Sequence, residues 1–123
     1  MHEPDAHPLQ GRRVLVVEDD FMIADELQHM LESLGSHVVG PASTVADALQ
    51  LISDCLVELA VLDVNLGGEK AYPIADVLRV RGIPFVFATG YDRSALPSEY
   101  ADAPRCEKPI DLGKMARLLD GDR

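Results

Sequence analysis

The 123 residues carry 21 acidic and 11 basic side chains, a formal net charge of −10, with 47% hydrophobic residues, few aromatics and no Trp. That length accommodates one domain with a sizeable aliphatic core, and the acidic balance argues against an electrostatic grip on nucleic acid or an anionic membrane. No apolar stretch approaches the ~20 residues that span a bilayer, and Met1 to Pro8 lacks the apolar centre of a secretion signal, so a cytoplasmic location is expected.

Residues 1 to 11 contain two Pro, one Gly and mixed charges without periodicity, which predicts a mobile tail ahead of a domain over 12–123. Val14 to Val17 reads as a buried strand and ends in Glu18-Asp19-Asp20. Asp20 is placed to cap a helix in which Ile23, Leu27, Met30, Leu31 and Leu34 recur at helical spacing before Gly35 stops it. Val38-Val39 forms a short second strand. Thr44 to Asp47 has the form of a capping box opening a helix through Ile52. Leu59 to Leu62 is the third strand, and it delivers Asp63.

A Gly67-Gly68 turn follows, then a helix from Pro73 to Arg81 with Ile74, Val77 and Leu78 on one side. Phe85 to Ala88 is the fourth strand, ending at Thr89. Pro97, Pro104 and several small residues between 91 and 104 leave room for a short or distorted fourth helix. Arg105 to Glu107 is the fifth strand, followed by Lys108-Pro109. Asp111 then caps a last helix with Leu112, Met115, Leu118 and Leu119 on its apolar face.

Cys55 and Cys106 match neither a C-x-x-C redox pair nor a zinc pattern, and are expected to be two reduced cysteines. The four His residues show no metal-ligand spacing.

Strands alternating with helices through short connections imply an α/β fold: a doubly wound, five-stranded parallel sheet in the order 2-1-3-4-5 with helices on both faces. The carboxyl ends of its strands share one edge, and ligands bind where the strand order reverses, here between strands one and three. Glu18, Asp19, Asp63, Thr89 and Lys108 therefore converge although they are distant in sequence. Oxygen donors suit Mg²⁺, with Asp19 and Asp63 as direct ligands, Glu18 direct or through water, and a backbone carbonyl past Asp63, at Asn65, completing the set. Asp63 is the candidate nucleophile toward phosphorus, with Lys108 as cation and Thr89 as hydroxyl donor. Pro109 raises the question of a cis or trans bond after Lys108, with trans favoured.

From about Arg13 to Leu119 this order resembles the response-regulator receiver domain, a flavodoxin-like fold, on Val16-Val-Glu-Asp-Asp20, Asp63, Thr89 and Lys108-Pro109. The resemblance implies that Asp63 takes a phosphoryl group from a phosphohistidine on a sensor kinase, that Mg²⁺ is required, and that the group is slowly returned to water. Pro84 to Tyr91, Pro-Phe-Val-Phe-Ala-Thr-Gly-Tyr, and Asp63 to Gly68 resemble the FAT GUY subgroup. Its members are often stand-alone receivers of alphaproteobacteria that work beside HWE-type kinases, some in the general stress response. By the same resemblance Asn65 and Tyr91 tune access of water to the acyl phosphate.

Arg105 departs from the pattern, because many receivers place Tyr or Phe there and couple it to the Thr. Tyr91 and the loosely packed 91–104 segment are expected to report phosphorylation instead, to a downstream protein or phosphotransferase. Two alternatives stand beside this reading. One is a degenerate receiver that binds partners without phosphorylation. The other is an Mg²⁺-dependent aspartyl phosphatase, whose haloacid-dehalogenase-like pattern has Asp-x-Asp on the first strand and a cap, unlike Asp63-Val-Asn65.

Overall fold

The computed structural model describes residues 9–89, 96–108 and 110–119. Its main sheet has five parallel strands: β1 (Arg13–Val17), β2 (His37–Ala42), β3 (Leu59–Asp63), β6 (Phe85–Thr89) and β7 (Arg105–Glu107). They lie in the order β2-β1-β3-β6-β7, the order expected from the sequence. β4 (Asn65–Leu66) and β5 (Glu69–Lys70) form a separate antiparallel hairpin directly after Asp63. The Gly67-Gly68 turn thus closes a small sheet, with φ of +59° and +100° that side chains resist.

β3 and β6 are buried along their whole length, as strands covered on both faces must be. Alternation sends Val14 and Val16 to one face and Leu15 and Val17 to the other. The first face packs Leu27 and Leu31 of α1 (Phe21–Ser33) with Met115 and Leu119 of α4 (Leu112–Leu119). The opposite face packs Ile52 of α2 (Val45–Asp54) with Ile74 and Leu78 of α3 (Tyr72–Val80).

The helix starts follow the sequence signals. Asp20 Oδ1 accepts from the Met22 and Ile23 amides at 2.9 and 3.2 Å, and Thr44 Oγ1 accepts from the Asp47 amide at 3.1 Å. Asp111 Oδ1 does the same for the Lys114 amide at 3.1 Å. No side chain caps α3, where Pro73 occupies the first turn. Its entry is fixed by the chain itself, since the Ala71 amide donates to the Val64 carbonyl at 3.0 Å.

Two expectations are corrected. Leu9 to Gly11 are not tail: Leu9 is fully buried, its carbonyl accepts from Ser36 Oγ at 2.7 Å, and the Gly11 amide donates to the Gly35 carbonyl at 2.8 Å. One apolar residue in a polar stretch carries no periodic signal, yet it fills the end of the α1 and α4 face. The packing of the segment before the fifth strand is the other. Its described part contains a 3-10 turn at Ser98–Tyr100, the short, distorted helix expected there, but Tyr100 is 3% exposed and the segment is not loosely packed.

Tyr100 stacks on Tyr72 with ring centroids 4.7 Å apart and meets Phe87 edge-on at 6.1 Å. Its hydroxyl donates to Asp76 Oδ1, and the Arg79 guanidinium lies 4.9 Å over its ring while donating to the Glu99 carbonyl at 3.0 Å. Residues 98–103 are therefore bolted to α3 rather than loosely packed. Among the described residues no helix is long and apolar enough to cross a membrane.

Candidate functional site

The site forms where β1, β3, β6 and β7 end together. β1 pairs with β3 through Val17 and Leu62, and β3 with β6 through Asp63 and Ala88, so Glu18, Asp63 and Thr89 reach one level of the sheet edge. The Glu18 amide donates to the Ala42 carbonyl at 2.9 Å, just past the register shift that lets β2 bend around the end of β1. On the other side the Lys108 amide donates to the Thr89 carbonyl at 2.8 Å and turns the lysine inward.

Lys108 Nζ lies 2.8 Å from Glu18 Oε1 and 3.3 Å from Asp63 Oδ1. Glu18 Oε2 accepts from the Asp20 amide at 3.1 Å, so both of its oxygens are engaged. Glu18 and Asp63 are buried while Asp19 is exposed, and carboxylate oxygens of all three lie within 4.8 Å of one another.

That crowding has an electrostatic cost. Burial pushes the Asp63 carboxyl up to about 7, the Glu18 charge adds to the rise, and Lys108 opposes it. Burial alone would lower the Lys108 ammonium, but its hydrogen bond to Glu18 and the charges of Asp63 and Glu18 raise it on balance. Lys108 stays charged, and it neutralises only part of the acidic cluster.

A hard divalent cation fits the remaining donors, which are all oxygen, and Asp19 and Asp63 offer the oxygens not already claimed by hydrogen bonds within the cluster. Thr89 is 3% exposed, and its hydroxyl faces the Cys106 carbonyl at a long 3.5 Å. The sequence-derived set of Glu18, Asp19, Asp63, Thr89 and Lys108 is thus gathered at one edge. Asn65 sits beside it on the hairpin, its side-chain oxygen accepting from Lys70 Nζ. Arg105 is half-buried on β7, with Nη2 3.5 Å from the Ala101 carbonyl. Tyr91 and Pro109 lie outside the described residues.

Lys70, Tyr72 and Tyr100 gave no sequence signal of their own. A cation after a Gly-Gly turn looks like a solvated loop, and a single Tyr between two Pro has no period. Only the hairpin pairing and the stack give them places.

Residues 14–117 match the family described as the response regulator receiver domain. With the five-stranded order and the acid–lysine cluster at its switch point, the chain belongs to that family. It is 33% identical over 111 residues to the sensory transduction protein LytT of Bacillus cereus, covering 87% of this chain and 45% of LytT. The chain therefore spans about half the length of the curated relatives it matches.

Among solved structures, SdrG from Sphingomonas melonis Fr1 superposes with a TM-score of 0.79 at 43% identity, over 89% of this chain and 93% of that one. The BeF3-activated conformation of SdrG gives 0.75 at 42% identity, over 90% and 96%. The response regulator PhyR from Brucella abortus gives 0.78 at 25% identity, over 94% of this chain and 49% of PhyR.

Proposed function

We propose that this receiver accepts a phosphoryl group on Asp63 from a phosphohistidine of a sensor kinase and passes the change of state to a protein partner. The observation that carries the reading is the Lys108 ammonium held between Glu18 and Asp63, beside a third carboxylate, at the switch point of the sheet. Asp19 and Asp63 would hold Mg²⁺ directly, Glu18 through water, with the Asn65 carbonyl as a further ligand. When bound, Mg²⁺ supplies charge neutralisation for the carboxylates and for phosphoryl oxygens.

The protein's own groups do the rest. The ionised Asp63 carboxylate is the nucleophile, and its buried position gives one direction of approach. Lys108, kept protonated by its two carboxylates, follows the oxygen charge as it moves from Asp63 to the phosphoryl group. Among the described residues the Thr89 hydroxyl makes one long contact, to the Cys106 carbonyl, and would turn toward a phosphoryl oxygen. Slow return of the group to water would follow from a carboxyl-phosphate bond at a partly covered edge.

The FAT GUY pattern at Pro84 to Tyr91, and the likeness to PhyR, a stress response regulator, support a stress-response setting with an HWE-type kinase in the cytoplasm. The complete set of acidic, hydroxyl and lysine groups favours this reading over a phosphorylation-independent binding module. A phosphatase would need sustained turnover on phosphate esters.

The test is intact-mass measurement after incubation with acetyl phosphate, with and without Mg²⁺, on wild type and Asp63→Asn. A gain of one phosphoryl group that requires both Mg²⁺ and Asp63 is expected. A gain that survives Asp63→Asn, or none in the wild type, overturns the assignment.

A further inference from the structure

The hairpin after Asp63 carries a cation that this chemistry leaves unused. Its turn reaches the acidic cluster, for a Cβ built on Gly67 would stand 3.5 Å from Asp19 Oδ2. On the same hairpin Asn65 pairs with Lys70 across the strands, and Lys70 Nζ donates to Asn65 Oδ1.

The two ammonium groups beside the site are held differently. Lys108 is 19% exposed and shared between two carboxylates. Lys70 is exposed and held by a neutral amide, and among the described residues it forms no ion pair with a carboxylate. A phosphodonor dianion approaching a chain of net charge −10 and a pocket of three carboxylates is repelled. A cation held on the adjoining hairpin offsets that repulsion in the encounter, before any bond changes.

We propose that Lys70, steadied by Asn65, is a capture site for the phosphoryl dianion of the incoming donor and positions it for transfer to Asp63. The proposal rests on the phosphoacceptor reading above. In the transfer an Asp63 carboxylate oxygen forms the new bond to phosphorus. The bond from phosphorus to the donor atom breaks, an imidazole nitrogen in phosphohistidine or the carboxyl oxygen in acetyl phosphate, and its electron pair leaves with the donor, as acetate when acetyl phosphate is used. Lys70 stays an ammonium throughout and exchanges no proton. It is a positioning residue, distinct from Lys108, which touches the nucleophile.

The experiment is the initial rate of phosphoryl mass gain across an acetyl phosphate series with Mg²⁺, at low and high salt, for wild type, Lys70→Met, Lys70→Arg and Asn65→Ala. Loss of the charge in Lys70→Met should raise the half-saturating donor concentration about fivefold and leave the maximal rate within about twofold. Lys70→Arg keeps the charge and should stay within about twofold of wild type. Asn65→Ala keeps the charge but frees it, giving a rise of about twofold. At ~0.5 M salt the Lys70→Met defect should fall below about twofold, because an exposed cation is screened.

Unchanged half-saturation in Lys70→Met overturns the proposal, as does a lowered maximal rate at unchanged half-saturation. Absence of mass gain in the wild type overturns the phosphoacceptor reading instead, so the two failures are distinguishable.

Discussion

The acidic edge and the aromatic wedge work in opposite directions energetically. At the edge, three carboxylates share a small space and one of them is pushed up to about 7, chiefly by burial, so the arrangement works against folding near neutral pH. At the wedge, Tyr100 is sealed between Tyr72, Phe87 and Arg79 and contributes packing, stacking and a hydrogen bond to Asp76. A crowded, partly buried acidic edge costs stability, and apolar contacts elsewhere offset it.

The sharpest way to break this contrast is Tyr100→Ala, which leaves a cavity beside Tyr72 and Phe87. It should cost about 3–5 kcal/mol in denaturant unfolding, as for other buried aromatics. Asp63→Asn should act the other way. With a folded pKa of about 7 against an ordinary value of 3.8, the native state binds the Asp63 proton more tightly than the unfolded chain, so this group's contribution falls as pH rises between those values. The slope is at most ~1.4 kcal/mol per pH unit.

Unfolding of metal-free Asp63→Asn and wild type across pH 4 to 8 should therefore show equal stability at the acid end and a widening advantage for the variant, on the order of 3 kcal/mol at pH 8. Mg²⁺ should narrow that gap by binding the ionised wild-type site, and chelation should restore it. Smaller effects separate the contacts within each region. Tyr100→Phe keeps the stack and loses the bond to Asp76, at about 1 kcal/mol. Asp20→Ala removes the cap of α1 beside the acidic edge, also at about 1 kcal/mol.

The same two regions show what was legible in the chain. Val14 to Val17, Leu59 to Leu62 and Phe85 to Ala88 are continuous apolar runs ending in polar residues, and in a parallel sheet that pattern specifies the shared edge. Caps at Asp20, Thr44 and Asp111 are local chemistry, readable from neighbours alone. Leu9 and Tyr100 were not readable, since each is a single apolar or aromatic residue in a polar or Pro-rich stretch. Their places depend on partners 27 and 28 residues away in sequence, Ser36 and Tyr72. Lys70 required the hairpin, whose two-residue strands are too short for any alternation to register.

Carboxyl ¹³C titration of Asp63 by NMR, with and without Mg²⁺, reads the crowding of the acidic edge itself. The account predicts a midpoint near 7 in the metal-free protein, moving to lower pH when Mg²⁺ is added. An ordinary carboxylate midpoint near 4 in the metal-free protein, unmoved by Mg²⁺, would contradict a crowded phosphoacceptor poised for a metal ion.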